Sequence, residues 1–139
     1  MQYIAGGVCA PKGFKAAGVH CGIRRGPSKY DLALIVSDEM ASAAAVYTQN
    51  LVKGAPILVT QKHLENGYAR AVIVNSGNAN TCNANGIEIA EGMCALVREY
   101  TGIREEDVAV ASTGVIGQPP SLQPISDGVQ GLVDARAPD

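Results

Sequence analysis

Tryptophan is absent from this chain of 139 residues, phenylalanine occurs once, and aromatics make up only 4% of it. A core built on stacked rings is therefore excluded. Sixteen glycines and many Ala and Val remain to fill the interior, which points to layers whose backbones approach closely. Also missing is any apolar run near the ~20 residues that a bilayer crossing needs, and the N-terminus lacks the basic-then-apolar order of a secretory signal. A cytoplasmic protein with no membrane partner is the expectation. Nor is there an excess of one charge: 11 Lys and Arg face 13 Asp and Glu, a formal net charge of −2, so nucleic acid is not an expected partner. The basic group of Arg24, Arg25 and Lys29, with Lys12 and Lys15 upstream, is broken by Gly and Pro and reads as a solvated turn rather than a phosphate patch.

The chain has no C-x-x-C, no G-x-S-x-G, no G-x-x-x-x-G-K-[ST], no G-x-G-x-x-G after a strand and no H-E-x-x-H. No nucleophile with an obvious base can be nominated. Cys9, Cys21, Cys82 and Cys94, in a chain without a signal, read as buried thiols rather than disulfides. His20 beside Cys21, with Cys9 upstream, lacks zinc-ligand spacing, so no metal is expected there. His63 stands in a polar stretch with Lys62 and Glu65 and reads as exposed.

At 139 residues the chain has room for one domain, and 47% apolar against 17% charged residues gives it the capacity for a core. The glycine-dense first thirty residues suit short strands joined by turns. Leu32 to Val36 reads as a buried strand, Ser42 to Thr48 leans toward strand, and Pro56 to Thr60 is a further strand candidate with Pro at its first position. Lys62 to Tyr68 reads as a short helix or turn, and Ala71 to Val74 as the clearest buried strand. From Gly86 to Tyr100 the residues Ile89, Met93, Leu96 and Tyr100 share one helical face, and Gly102 supplies the stop. Asp107 to Ala111 is another strand, and a last helix is expected from Pro124 to about Val133. Strand, helix and strand in this order make a βαβ unit, right-handed with parallel strands.

Ligands gather at the carboxyl ends of parallel strands, where loops present backbone N–H groups. Two such loops lie side by side here. The first holds Asn75, Asn78, Asn80, Asn83 and Asn85 among two glycines, amides that suit the stapling of a tight loop to its own main chain. The second, Ser112-Thr113-Gly114, reads by itself as a plain turn, although a hydroxyl beside a closely approached N–H is also what a developing oxyanion needs.

The ordered run APKGFKAAGVHCGIRRGPSKYDLALIVSD, ASAAAVYTQNLVKGAP, ARAVIVNSGNAN and EEDVAVASTGVIG, from about Gly6 to about Gly128, resembles the N-terminal part of the ornithine acetyltransferase family. These are the ArgJ-type glutamate N-acetyltransferases of arginine biosynthesis. The resemblance implies a DmpA/ArgJ-like α/β/β/α sandwich, of which this chain would hold the part containing the βαβ unit. It also implies a precursor that cleaves itself between an Ala and a Thr into α and β chains, assembled as α2β2. The freed N-terminal Thr would take the acetyl group from N-acetylornithine, and in some members from acetyl-CoA, and pass it to glutamate by ping-pong catalysis. Thr113 and Gly114 match the family's oxyanion-stabilising pair, and Asn75, Asn78 and Asn80 are possible loop contributions to the substrate site. No cofactor is implied. The cleavage motif and the nucleophile would lie beyond Asp139, so residues 1–139 are expected to be one domain, a portion of an α chain, inactive by itself and dependent on the β chain. A non-catalytic amino-acid-binding module and a related self-processing aminopeptidase are the alternatives.

Overall fold

The computed structural model describes residues 3–26 and 29–138. Four strands form one sheet in sequence order: β1 (Phe14–Val19), β2 (Leu32–Ser42), β3 (Tyr68–Asn78) and β4 (Val108–Val115). The first three are antiparallel neighbours, and β4 joins β3 in parallel. Helices α1 (Ala55–His63), α2 (Gly86–Thr101) and α3 (Gln123–Ala135) pack beside one another, α3 over β1 and β2, α2 over β3 and β4, and α1 against β4.

Alternation along the strands shows which face they cover. Leu32, Leu34, Ala71, Ile73, Val108 and Val110 are buried, whereas the intervening Ala33, Ile35, Val72, Val74 and Ala109 are half-buried and Ala111 is exposed. One apolar face meets the helices and the other, also apolar, is open. Within the described residues this is one helical layer on one sheet, half of the four layers that the resemblance implies.

α2 matches the expectation. Ile89, Met93 and Leu96 are buried, Tyr100 packs against the core, and Ala90, Cys94 and Val97 widen the stripe. Gly102 ends the helix with φ 74° and donates its N–H to the Arg98 carbonyl at 2.8 Å. α3 buries Ile125, Val129 and Leu132 at steps of four and three. The shortage of large side chains is used as expected: a Cβ at Gly128 would lie 2.5 Å from Cys21 Cβ, so α3 reaches its place only because that position is glycine.

Three expectations fail. Pro56 to Thr60 is not a strand but the first turns of α1, in which Pro56, Val59 and His63 are buried at helical spacing. An apolar run of five cannot by itself separate a strand from a buried helix, and a Pro in the first turn followed by Lys62 and His63 in the last was the overlooked helix signal. Residues 43–50 have no regular structure, and Val46 there is fully exposed. His63 is buried, its Nδ1 2.8 Å from the Val108 carbonyl. The four thiols are free, but burial holds only in part: Cys94 is buried, Cys9 and Cys21 are half-buried, and Cys82 is exposed.

His63 and Thr60 together close the outer edge of β4. Thr60 Oγ1 donates to the Val110 carbonyl at 3.0 Å and accepts the Val110 N–H at 2.9 Å, so one hydroxyl takes both edge groups that would otherwise template another strand. Replacing Thr60 by the isosteric Val leaves both groups unpartnered. Thr60→Val is expected to lower unfolding stability by about 2 kcal/mol in urea denaturation and to speed hydrogen exchange at the Val110 amide.

Candidate functional site

β3 and β4 do not stop where the sequence suggests. Their pairing runs on through Asn75 with Ser112, Ser76 with Thr113, Gly77 with Gly114 and Asn78 with Val115, so the expected loop residues 112–114 are the end of a strand. Glycine at position 114 makes this pairing possible, and glycine at 77 makes room for Arg24. A Cβ at Gly114 would strike the carbonyl carbon of Gly77 and come within 2.6 Å of the Asn78 nitrogen, and φ at Gly114 is +131°. Gly77, at φ +106°, would place a Cβ 2.6 Å from Arg24 Cγ. Neither conformation is open to an ordinary L-residue at low cost.

The phase of the strand decides where its polar groups point. Val110 turns both its N–H and its C=O toward Thr60, away from β3. Val115 turns its C=O toward β3, where it accepts the Ala79 N–H at 3.0 Å. Backbone groups alternate along a strand, so the N–H of Thr113 faces β3 and that of Gly114 faces the open edge. Side chains alternate too. With Val108 and Val110 against the helices, Thr113 lies on the open face, beside its register partner Ser76. A hydroxyl and an edge-directed N–H thus border one rim.

That rim opens into a cleft of about 700 Å³ lined by Ile23, Arg24, Arg25, Ser76, Gly77, Thr113, Gly114, Val115 and Gln118. The asparagines of the first loop mostly face elsewhere. Asn75 Nδ2 donates to the Asn78 carbonyl at 2.9 Å and Asn80 Nδ2 to the Gly86 carbonyl at 2.7 Å, both side chains being buried. These two staple the turn that leads into α2. Asn78 differs: its Nδ2 reaches the Pro119 carbonyl at 3.4 Å, and its Oδ1 is buried without a partner among the described residues.

The wall opposite Thr113 depends on a residue that no motif marked. Asp31, 2% exposed, accepts the Cys21 N–H at 2.7 Å and the Arg24 N–H at 2.9 Å, with His20 Nδ1 at 3.0 Å. Its own carbonyl accepts the Ser76 N–H at 2.8 Å. One residue therefore ties the turn after β1 to the end of β3. The only sequence signal was an acidic residue abutting a buried apolar run. Burial by itself would raise the Asp31 pKa, but the Arg24 and Cys21 N–H groups, the Cys21 thiol and His20 outweigh it and hold it below 3.8.

The neighbouring thiol is no nucleophile. Burial, then the Asp31 hydrogen bond and charge, push Cys21 up to about 12, and burial with Glu105 and Glu91 does the same to Cys94. Among the described residues no group of three or more His, Cys, Asp or Glu is placed to hold a metal ion, and no helix is long and apolar enough to cross a membrane.

Two outcomes follow. Gly114→Ala is expected to cost about 2 kcal/mol or more and to shift the amide resonances of Gly77 and Asn78. Asp31 is depressed in the folded state, so its stabilisation is complete above 3.8 and is lost as the pH falls through the lower folded value. Asp31→Asn should therefore lower stability at neutral pH by about 2 kcal/mol and flatten the acid limb of the stability profile, as measured by denaturation from pH 7 downward.

Known proteins resemble this chain in sequence and in fold. The model of the ArgJ family matches residues 15–138. The arginine biosynthesis bifunctional protein ArgJ of Symbiobacterium thermophilum is 45% identical over all of this chain and 35% of its own length. The Bacillus subtilis protein of the same name is 46% identical over 96% of this chain and 33% of its own. The chain thus spans about a third of the length of the curated relatives it matches. Among solved structures, the arginine biosynthesis bifunctional protein of Bacillus halodurans superposes with a TM-score of 0.88 at 42% identity, over 95% of this chain and 68% of that one. Ornithine acetyltransferase of Mycobacterium tuberculosis, complexed with ornithine, gives 0.84 at 38%, over 95% and 72%. With the family model matching nearly the whole chain, the chain belongs to the ArgJ family.

Proposed function

We propose that this chain is part of an N-acetyltransferase of arginine biosynthesis, in which Thr113 Oγ1 and the Gly114 N–H stabilise the oxyanion of acetyl transfer. The observation that carries this reading is the strand phase, which leaves the Gly114 N–H at the open edge beside the Thr113 hydroxyl. Two donors fixed in advance at the place where charge develops need no reorganisation when the bond forms. The relatives support the chemistry, being named for arginine biosynthesis and, in one case, for ornithine acetyl transfer.

In this scheme a hydroxyl oxygen attacks the acetyl carbonyl of N-acetylornithine, and the carbonyl oxygen takes the negative charge at Thr113 and Gly114. Collapse breaks the C–N bond, the ornithine amine leaves with a proton, and glutamate's amine repeats the attack on the acyl-enzyme. Acetyl-CoA would be an alternative donor. The nucleophile, an N-terminal Thr exposed by self-cleavage, belongs to the length of the relatives that this chain does not span. Residues 1–139 accordingly act as an α-chain portion that is inactive alone and works with the β chain in a cytoplasmic α2β2 assembly. The open face bearing Ile35, Val72 and Val74 suits this, since a second sheet laid on it would complete an α/β/β/α sandwich. Asn75 and Asn80 contribute by holding the loop, and of the three amides Asn78 alone has a buried side-chain oxygen without a partner among the described residues.

In the assembled enzyme Thr113→Ala is expected to lower kcat for acetyl transfer from N-acetylornithine to glutamate by about 10² to 10³, with little change in KM. An unchanged kcat would remove Thr113 from the oxyanion site.

A further inference from the structure

The cleft at Thr113 has a charge asymmetry that the net charge of the chain conceals. Its lining carries two guanidinium groups, Arg24 and Arg25, and no carboxylate. Among the described residues neither arginine is in an ion pair. Asp31, the acid that holds this turn, is buried and bonded to backbone N–H groups and His20, and it makes no ion pair with either arginine. Arg24 is also placed. Its stem crosses the bare α-carbon of Gly77, and its Nη1 stands 3.4 Å from Ser76 Oγ, the register partner of Thr113 on the open face. Adjacent strands are ~4.8 Å apart, so the guanidinium lies one strand spacing and one hydrogen bond from the Thr113 hydroxyl.

We propose that Arg24, with Arg25 beside it, is the carboxylate-recognising wall of the Thr113–Gly114 cleft, and that Asp31 is its positioning residue. This rests on the acyl-transfer reading and deepens it by naming how an amino-acid substrate is held. A guanidinium offers a planar fork that matches a carboxylate in two parallel hydrogen bonds. The turn is exposed, as its composition suggests, yet its charges face a site and not only solvent.

The test is a ¹⁵N–¹H NMR titration of the assembled enzyme, with this chain ¹⁵N-labelled, with N-acetyl-L-glutamate, with its uncharged diamide and with inorganic phosphate. N-acetyl-L-glutamate should shift the Gly77 and Gly114 amides and the Arg24 Nε–H, whereas the diamide should leave them in place and phosphate should bind more weakly. R24Q, which keeps most of the stem over Gly77, should weaken binding about tenfold and R25Q about threefold, in spectra otherwise unchanged. Shifts confined to other residues, no shift with any of the three compounds, or wild-type affinity in R24Q would overturn the proposal. Phosphate binding in preference to the carboxylate would overturn it as well and point to a phosphorylated acyl carrier. The titration reads binding without turnover, so its failure would leave the acyl-transfer reading standing, and an unchanged kcat in Thr113→Ala would leave the titration standing.

Discussion

At Gly114 the backbone of β4 meets that of β3 more closely than a side chain on Gly114 would permit, and the rest of the site depends on that meeting. Because Gly114 has no Cβ to strike Gly77 and Asn78, the parallel ladder continues past the buried core and carries Ser112, Thr113 and Gly114 in strand phase to the rim of the sheet. A loop at that point would leave the direction of each N–H to local turn geometry. A strand fixes it, and the alternation assigns the Gly114 N–H to the open side. Preorganisation of a donor is here a consequence of sheet register.

Everything around the rim is held by groups that do no chemistry. Asp31 ties the turn carrying Arg24 to Ser76 by way of its carboxylate and its carbonyl. Thr60 and His63 seal the edge of β4 upstream, at Val110 and Val108, and leave it open at Gly114. Asn75 and Asn80 donate to the carbonyls of Asn78 and Gly86 and so fix the turn that leads into α2. Buried polar groups of this kind stabilise little in net terms when satisfied and cost much when orphaned, so they specify one arrangement rather than add to the core.

Much of this was legible in the residues. The spacing of Ile89, Met93 and Leu96 identified α2, Gly102 marked its end, and the apolar run Ala71 to Val74 identified β3, from which the parallel βαβ unit followed. Periodicity failed where apolar residues are not confined to the buried face. Pro56 to Val59 is apolar throughout although only Pro56 and Val59 are buried and Leu58 is exposed, and a short run of that kind carries no period to read. The polar surroundings of His63 concealed its burial, since a helix end can turn one residue inward among exposed neighbours. Thr113 and Gly114 could be nominated only through the resemblance to a family, because three residues make no motif. Asp31 and Arg24 escaped altogether: their roles come from contacts across the β1–β2 turn and across 52 residues of sequence to Ser76.

The account stands on the direction of one N–H bond, and amide hydrogen exchange resolved by NMR tests it most directly. In the folded chain the Thr113 amide, bonded to β3, should be protected, and the Gly114 amide, facing the open edge, should exchange at least about a hundredfold faster despite its place in the same strand. Equal protection of the two would mean that Gly114 is spent on the sheet, and the assignment of this edge as an oxyanion site would be wrong.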